Sequence, residues 1–76
     1  MIFAVIPAYN EEKLIKEVIK ETKKYADKII VVDDGSKDKT VKIIEETDAI
    51  LIKHPRNFGK GVALNNGFKK AIKLGA

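Results

Sequence analysis

Three short apolar runs divide the chain, and each is rich in β-branched residues. They cover residues 2–6, 29–32 and 49–52, and each predicts a β-strand, the second of which extends over residues 28–33. The first two have no polar residue at their central positions, which is typical of strands covered on both faces in a parallel sheet. We therefore predict that strands one and two are buried on both faces and that Pro7 ends the first.

The segment after the first run has apolar residues at the three- and four-residue spacing of an amphipathic helix. This helix is predicted from Asn10, a good N-cap, to about residue 25, with two glutamates in its first turn. Its predicted buried stripe consists of Leu14, Ile15, Val18, Ile19 and Thr22.

Two further helices follow the same spacing. The second is predicted over residues 39–46, with Ser36 or Asp38 as its cap. Its apolar side is formed by Val41, Ile43 and Ile44. The third is predicted over residues 60–74, with Gly67 allowing a close approach to the sheet. Its predicted buried face consists of Val62, Leu64, Phe68, Ala71 and Ile72.

Strands and helices thus alternate along residues 1–76 with short links. This order predicts a single α/β domain with a parallel sheet and right-handed crossovers. Strand one is apolar enough to need a neighbour on each side, but three strands cover only one of its sides. An exposed apolar strand edge invites pairing with another chain. We therefore expect either the first half of a larger domain, with a fourth strand to follow, or a half-domain that forms a homo-oligomer through the edge of strand one.

Composition excludes several classes of protein. The 76 residues contain no cysteine, which removes disulfides, thiolate metal sites and cysteine nucleophiles. No apolar run approaches the roughly 20 residues of a membrane span, and the first run is too short for a signal peptide, so we expect a cytoplasmic protein. The net charge of +4 comes from lysines scattered beside glutamates, so no nucleic-acid partner is predicted. Abundant Lys, Glu and Ile fit a heat-adapted, thermophile source.

Polar residues follow each predicted strand. The carboxyl ends of parallel strands meet at one edge of a sheet, and ligands bind there. The loops at this edge are residues 7–11, 33–38 and 54–60. Asp33 and Asp34 close the second strand, and two interpretations of them are open. They hold a ligand, or they only terminate the strand and fix its turn through Asx-type hydrogen bonds.

Together the three loops carry the groups that a nucleotide needs. Tyr9 offers a ring for the base, and an acid such as Glu11 accepts hydrogen bonds from base or ribose. Arg56 and Lys60 suit phosphate. Plainer alternatives stay open: Tyr9 packs at a strand end, Glu11 is a helix charge, and the two cations are solvated. His54, the single histidine, has no partner at triad or metal spacing and is interpreted as a loop residue. The P-loop and the dinucleotide glycine fingerprint are both absent.

Residues 5–12, 30–40 and 57–67 resemble three motifs of the family 2 glycosyltransferases, in the right order and over nearly the whole chain. The likeness is strongest to the dolichol-phosphate mannosyltransferase and polyprenyl-phosphate sugar transferase group. The resemblance implies a GT-A fold, of which this chain is the three-layer βαβαβα, Rossmann-like half with strand order 3-2-1. It implies that the proline, tyrosine and glutamate after strand one contact the nucleotide, that the end of strand two holds the base, and that a lysine lies near the donor. The residues at these positions are Pro7, Tyr9 and Glu11 after strand one, Val32 and Asp34 at the end of strand two, and Lys60 near the donor. Asp33 is implied as a support for the end of strand two.

The resemblance also implies a chemistry for the full-length parent protein. Family members transfer a sugar with inversion from a nucleotide-diphospho-sugar, here UDP- or GDP-linked. A divalent metal, Mg or Mn, carries the diphosphate charge. The subgroup likeness adds a lipid-phosphate acceptor and association of the parent with a membrane.

The family's Asp-x-Asp metal motif lies on the strand after helix three, and its catalytic base follows later. Neither is present in residues 1–76, so no catalytic residue and no metal ligand are assigned, and no bound metal is expected on this chain. We expect weak nucleotide binding and no sugar transfer by this chain alone. The alternatives are a stand-alone nucleotide-binding or regulatory α/β module that dimerises through strand one, and an inert structural half-domain.

Overall fold

A computed structural model describes residues Met1–Ala76, the whole of the sequence. All six predicted elements are confirmed, and the bounds of the second strand are those predicted. The elements are β1 (Phe3–Ala8), α1 (Ile15–Thr22), β2 (Lys28–Asp33), α2 (Thr40–Glu45), β3 (Ile50–Lys53) and α3 (Lys60–Lys73). None of the three helices combines the length and the apolar character needed to cross a bilayer.

The three strands form one parallel sheet with β2 in the centre, so the predicted order 3-2-1 is confirmed. β1 pairs with β2 from Phe3 opposite Lys28 to Ala8 opposite Asp33. Asp33 is also opposite Lys53 of β3. The strands therefore end side by side, and the loops that follow them start from one edge of the sheet.

β2 supplies buried side chains to both faces of the sheet. Ile30, Val31 and Val32 are fully buried, which confirms two-sided burial for this strand. Successive side chains of a strand point to opposite faces. Accordingly, Ile29 and Val31 pack in one cluster with residues of α1 and α2, whereas Ile30 and Val32 pack in another with residues of α3. The molecule thus has three layers, with the sheet between α3 and the other two helices.

α3 lies on the sheet through small residues. Its buried positions are Ala63, Gly67 and Ala71, one in each turn along one face. A Cβ added to Gly67 would collide with the side chain of Val5 and lie 3.1 Å from Val32 Cγ2. Only a glycine fits this approach, so the close packing predicted for Gly67 is confirmed.

The predicted buried face of α3 is wrong apart from Ala71. Phe68 is 54% exposed and Ile72 is 69% exposed, and Val62 is exposed as well. Leu64 is half-buried. The physical reason is that the helix approaches the sheet through the residues that occupy least space, so the large apolar residues turn away from it.

α1 begins later than predicted and lacks the predicted cap. Asn10 has a φ of 50°, in the left-handed region, and α1 starts at Ile15 without a side-chain hydrogen bond at its cap. The Asn10 side chain bonds the loop after β2 instead. Leu14 and Val18 of the predicted stripe are exposed. The helix does bury the remaining members of that stripe, Ile15, Ile19 and Thr22.

α2 agrees with its prediction within one residue at each end. The residue at its cap position is Lys39, and no side chain makes a cap hydrogen bond, so neither Ser36 nor Asp38 is the cap. Asp38 lies one residue earlier and accepts the Thr40 N–H on Oδ1 at 2.9 Å. Ile44 is buried, while Val41 and Ile43 are half-buried.

β1 is the edge strand and departs from prediction in two ways. The sequence predicts a strand buried on both faces, but Phe3 to Pro7 are half-buried, because β2 covers only one side of the strand. The sequence also predicts that the strand ends at Pro7, but it continues through Pro7 to Ala8. The carbonyls of Ile2 and Ala8 accept hydrogen bonds from the β2 side. By alternation, Phe3, Val5 and Pro7 present their backbone to the free edge. Proline is tolerated there because no ladder bond needs its missing N–H.

Candidate functional site

Asp34, the first residue after β2, holds the loop that follows β3. Its Oδ1 accepts hydrogen bonds from His54 Nδ1 at 2.8 Å and from the Phe58 N–H at 2.9 Å. Its Oδ2 accepts one from the Gly59 N–H at 2.9 Å. Asp34 is only 4% exposed. The loop after β3 is therefore fastened at three points to the end of the central strand.

These contacts decide the charge of Asp34. Burial raises the pKa of its carboxyl group, but the hydrogen bonds from His54, Phe58 and Gly59 together outweigh burial and hold the pKa below its usual value of 3.8. The group is therefore ionised at neutral pH and acts only as an acceptor. A carboxylate has about four acceptor positions, so three occupied positions leave one free.

Asp33 has a different role although it is the adjacent residue. Its Oδ2 accepts a hydrogen bond from the Ser36 N–H at 2.9 Å, which fixes the turn after β2. Its Oδ1 is buried without a partner. Of the two interpretations that the sequence left open, the fixing of the turn therefore describes Asp33.

Gly35 lets the loops after β2 and β3 touch. Its φ of 83° lies in the left-handed region that favours glycine. A Cβ at this position would lie 2.5 to 2.7 Å from backbone atoms of Arg56 and Asn57. Any larger residue would push the loop after β3 away from the end of β2.

The loop after β1 is also fastened to the loop after β2. Asn10 donates its N–H to Ser36 Oγ at 2.8 Å, and its Oδ1 accepts the Lys37 N–H at 2.9 Å. The Glu11 N–H donates to Thr40 Oγ1 at 2.8 Å. The central loop thus serves as the scaffold on which both outer loops are set.

A cleft of about 330 Å³ opens between the two outer loops. Asp34 is the only residue of the central loop on its wall. The lining residues are Pro7, Ala8, Tyr9, Glu11, Asp34, Asn57, Lys60 and Ala63. The cleft therefore lies at the carboxyl ends of the strands, where a ligand of a parallel sheet is expected.

The structure brings to this wall five of the seven residues that the family resemblance implies, whereas Arg56, the other phosphate candidate, does not line it. Glu11 and Lys60 are exposed, so the cleft offers solvent one acid and one cation. Val32 and Asp33 are buried and do not line it. The five on the wall are Pro7, Tyr9, Glu11, Asp34 and Lys60.

The sequence interpretation missed the contacts of His54 and Asn66. His54 is buried, and its Nε2 lies 2.9 Å from Nδ2 of Asn66 on α3. A signal for the pairing with Asp34 existed, because His54 follows β3 directly as Asp34 follows β2, and the ends of these strands are in register. No comparable signal connects Asn66 with His54.

Comparison with known proteins gives the family. Residues 3–73 match the family model described as Glycosyl transferase family 2. The chain belongs to family 2 of the glycosyltransferases. No solved structure matches it.

Several curated relatives of this family 2 chain are longer proteins. It is 44% identical over 94 residues to a UDP-N-acetylglucosamine--dolichyl-phosphate N-acetylglucosaminyltransferase of Methanococcus voltae, covering 100% of this chain and 38% of that protein. It is 50% identical over 72 residues to an uncharacterized protein of Methanocaldococcus jannaschii, covering 93% of this chain and 30% of that protein. It is 35% identical over 79 residues to a dolichyl-phosphate beta-glucosyltransferase of Trichomonas vaginalis, covering 83% of this chain and 24% of that protein. The chain thus spans less than two fifths of the length of each.

The residues of this family 2 chain do not fit a metal site by themselves. No three His, Cys, Asp or Glu side chains come together so that they could hold a metal ion. Asp34, the acid buried at the cleft, already binds three donors of its own chain. The groups that the cleft presents to a ligand are therefore the ring of Tyr9, the acceptor oxygens of Asp34 and the cation of Lys60.

Proposed function

We propose that this chain is the nucleotide-sugar-binding N-terminal portion of an inverting family 2 glycosyltransferase and that the nucleotide binds in the cleft. The observation that carries the proposal is the make-up of the cleft wall. An aromatic ring, an ionised acceptor and a cation line one cleft of nucleotide size, on loops fastened to the end of β2.

Each group suits one part of a nucleoside diphosphate. The ring of Tyr9 is 43% exposed and free to stack on the base. Asp34 keeps one acceptor position for an N–H of the base. Glu11 suits the ribose hydroxyls. Lys60 is the first residue of α3, where the helix N-terminus adds positive partial charge for the diphosphate.

The remaining predicted residues support the site. Pro7 forms part of its apolar wall. Val32 and Asp33 act from buried positions, by holding the end of β2 and its turn in place.

The donor in this proposal is a UDP- or GDP-linked sugar, and the acceptor of the full-length parent is a lipid phosphate. One relative is named for UDP-N-acetylglucosamine and dolichyl phosphate, and another for dolichyl phosphate, which supports both parts. Mg or Mn is proposed only for the parent protein, since the residues of this chain form no site for it. A cytoplasmic location, membrane association of the parent and a heat-adapted source stay predictions.

We also propose that the 76-residue chain alone transfers no sugar, because no residue of the cleft is assigned as a general base. Sugar transfer by the purified chain, from UDP- or GDP-sugars to a polyprenyl phosphate, would contradict this. The alternative of a stand-alone module has no support among the relatives, since each is much longer than this chain.

A nuclear magnetic resonance titration of the isotope-labelled chain with UDP, GDP and NAD tests the binding proposal. We expect shifts concentrated at Tyr9, Glu11 and Lys60 with UDP or GDP. Lys60→Ala should weaken binding about tenfold or more, because it removes a charge-assisted contact. Lys69→Ala, an exposed lysine farther along the same helix, is the matched control and should bind as the wild type does. A folded chain without localised shifts would contradict the proposal.

The free edge of β1 suits pairing with a second copy of the chain, and we propose a homo-oligomer formed there. Phe3 and Val5 present N–H groups on that edge, whereas Pro7 has none, so pairing stops short of the cleft. Phe3→Lys should weaken association in analytical ultracentrifugation. Tyr25→Lys, which replaces an exposed aromatic ring outside β1, should not. A wild type that stays monomeric at high concentration would contradict the proposal.

A further inference from the structure

Three hydrogen-bonded side chains connect α3 with the cleft. Asn66 Nδ2 lies 2.9 Å from His54 Nε2, and His54 Nδ1 lies 2.8 Å from Asp34 Oδ1. The side chains of His54 and Asp34 are each only 6% exposed. The imidazole ring is therefore shielded from water and bonds both of its protein partners at normal hydrogen-bond distances.

The carboxylate of Asp34 and the amide nitrogen that Asn66 places toward the ring give the direction of both hydrogen bonds. The ionised carboxylate of Asp34 can only accept, so His54 Nδ1 carries a proton and donates it. The amide nitrogen of Asn66 can only donate, so His54 Nε2 carries no proton and accepts. This geometry assigns a proton to Nδ1 of His54 and the acceptor role to Nε2, so both bonds point toward Asp34.

We propose that Asn66 and His54 are positioning residues for nucleotide binding, which orient Asp34 so that its free acceptor position meets an N–H of the base. This inference rests on the proposed function of the cleft and extends it to two residues that do not line the cleft wall. Neither residue touches the ligand, and both act through Asp34.

Asp34 needs this support because its carboxylate has two tasks. The same oxygens that hold the Phe58 and Gly59 N–H groups must also present the free position to the ligand. A small rotation of the carboxylate would loosen the loop or turn that position away. The His54 ring is itself braced by the Phe58 ring, with 5.0 Å between their centroids. Through Asn66, the orientation of Asp34 is set by a helix instead of by the loop alone.

The first arm of the test needs no ligand. Nitrogen chemical shifts of the His54 ring in the whole chain distinguish a protonated from an unprotonated ring nitrogen. We expect Nδ1 protonated and Nε2 unprotonated at neutral pH, although a neutral histidine side chain in water favours the opposite tautomer. In Asn66→Asp the new carboxylate accepts from Nε2, so both ring nitrogens should carry protons. A proton on Nε2 of the wild type would overturn the proposal whether or not a nucleotide binds.

The second arm measures affinity for UDP and GDP. Asn66→Ala should weaken binding of the preferred nucleotide about tenfold, and Asn66→Asp should restore part of it, because His54 keeps its bond to Asp34. Asn65→Ala is the matched control, since Asn65 is an exposed amide next to Asn66 on the same helix. Asn66→Asp keeps the size of the side chain, so both the ring nitrogen shifts and the nucleotide affinity can be measured on it even if Asn66→Ala is too unstable to fold.

The outcomes separate the inference from the proposed function. Equal affinities of folded Asn66→Ala and Asn65→Ala would overturn the positioning role while the proposed function stands. A wild type that binds neither UDP nor GDP would overturn the proposed function and the positioning role with it. The expected tautomer together with a selective loss of affinity in Asn66→Ala supports both.

Discussion

The two faces of the sheet are packed by different means. On the face of α1 and α2, large branched side chains of the helices, Ile15, Ile19 and Ile44, form a cluster with Ile29 and Val31 of β2. On the other face, the large buried side chains come from the strands alone. There α3 contributes only Ala63, Gly67 and Ala71. The first face is therefore a core of interlocking side chains, and on the second the backbone of a helix comes close to the strands.

This difference indicates which face controls the site. α3 carries Lys60 of the cleft wall and Asn66 behind His54, so the position of this helix on the sheet sets the geometry of the cleft. Contact through small residues at native packing density leaves the helix little room to shift. α1 and α2 contribute no residue to the cleft wall. We therefore expect changes on their face to lower stability, and changes on the α3 face to alter the site as well.

The largest loss is expected for Ile19→Ala on the face of α1 and α2. Ile19 is 2% exposed, so the change removes buried surface and leaves a cavity. The free energy of unfolding should fall by about 2–5 kcal/mol. Urea unfolding measures this, with the slope against denaturant unchanged if only the folded state is affected. Val18→Ala on the exposed side of the same helix is the control and should stay within about 0.5 kcal/mol. Equal losses in both variants would contradict the assigned face of α1.

The next effect concerns the close approach of α3. Gly67→Ala should lower the free energy of unfolding by about 1–3 kcal/mol, because the new methyl group collides with Val5 and forces the helix outward. Gly61→Ala on the same helix has no atom within 4 Å of the added carbon. It should raise stability by about 0.5 kcal/mol through helix propensity. The test is that the same substitution changes the free energy of unfolding in opposite directions at two positions of one helix. A higher free energy of unfolding in both variants would mean that α3 does not lie close to the sheet.

The same two faces show what the sequence could and could not predict about the fold. The bounds of β2 follow from its sequence, because burial on both faces produces an unbroken apolar run. The spacing of apolar residues predicts α3 as a helix, but it also predicts Phe68 and Ile72 on the buried face, and both are exposed. Periodicity detects large apolar residues, whereas this contact is made by the smallest ones. In the sequence, only Gly67 indicated that α3 contacts the sheet through small residues.

The candidate site was predictable to the extent that it depends on topology. Parallel strands bring their following loops together, and this rule alone places Tyr9, Glu11 and Lys60 near one another. The three hydrogen bonds that Asp34 accepts were not predictable, because two of the three donors are backbone N–H groups, which any residue carries. The pairing with His54 had a partial signal, because both residues directly follow neighbouring strands, but it also depends on the register of β3 against β2, which sequence spacing does not give.

A third prediction concerns the charge of Asp34 on the α3 side. Asp34→Asn keeps one oxygen but places an amide group where the Gly59 N–H needs an acceptor, so stability at neutral pH should fall by about 1–3 kcal/mol. The pKa of Asp34 is lowered on folding from 3.8, so its ionised form stabilises the fold above that pH. That contribution is lost as pH falls through the lowered pKa of the folded state. In urea unfolding across this range, the gap between wild type and variant should therefore narrow in acid.

Asp48→Asn is the matched control for that experiment. The pKa of Asp48 is also lowered, by the hydrogen bond and the charge of Lys23 at 2.7 Å, but this pair is exposed to solvent. Solvent and salt screen such a pair, so the loss at neutral pH should be much smaller than for Asp34→Asn. An equal or larger loss in the control would show that burial at the cleft adds nothing to the strength of the Asp34 contacts.

The smallest effect is expected where the apolar pattern of α3 was most misleading. Ile72 is 69% exposed, so Ile72→Gln removes little buried surface and replaces a β-branched residue by a better helix former. The free energy of unfolding should change by no more than about 0.5 kcal/mol. Ala71→Gln, one residue earlier on the buried row, should be strongly destabilising, because the sheet leaves no space for a long polar side chain. If the two variants exchanged their effects, α3 would face the sheet as its apolar spacing predicts, and the close contact at Gly67 could not exist.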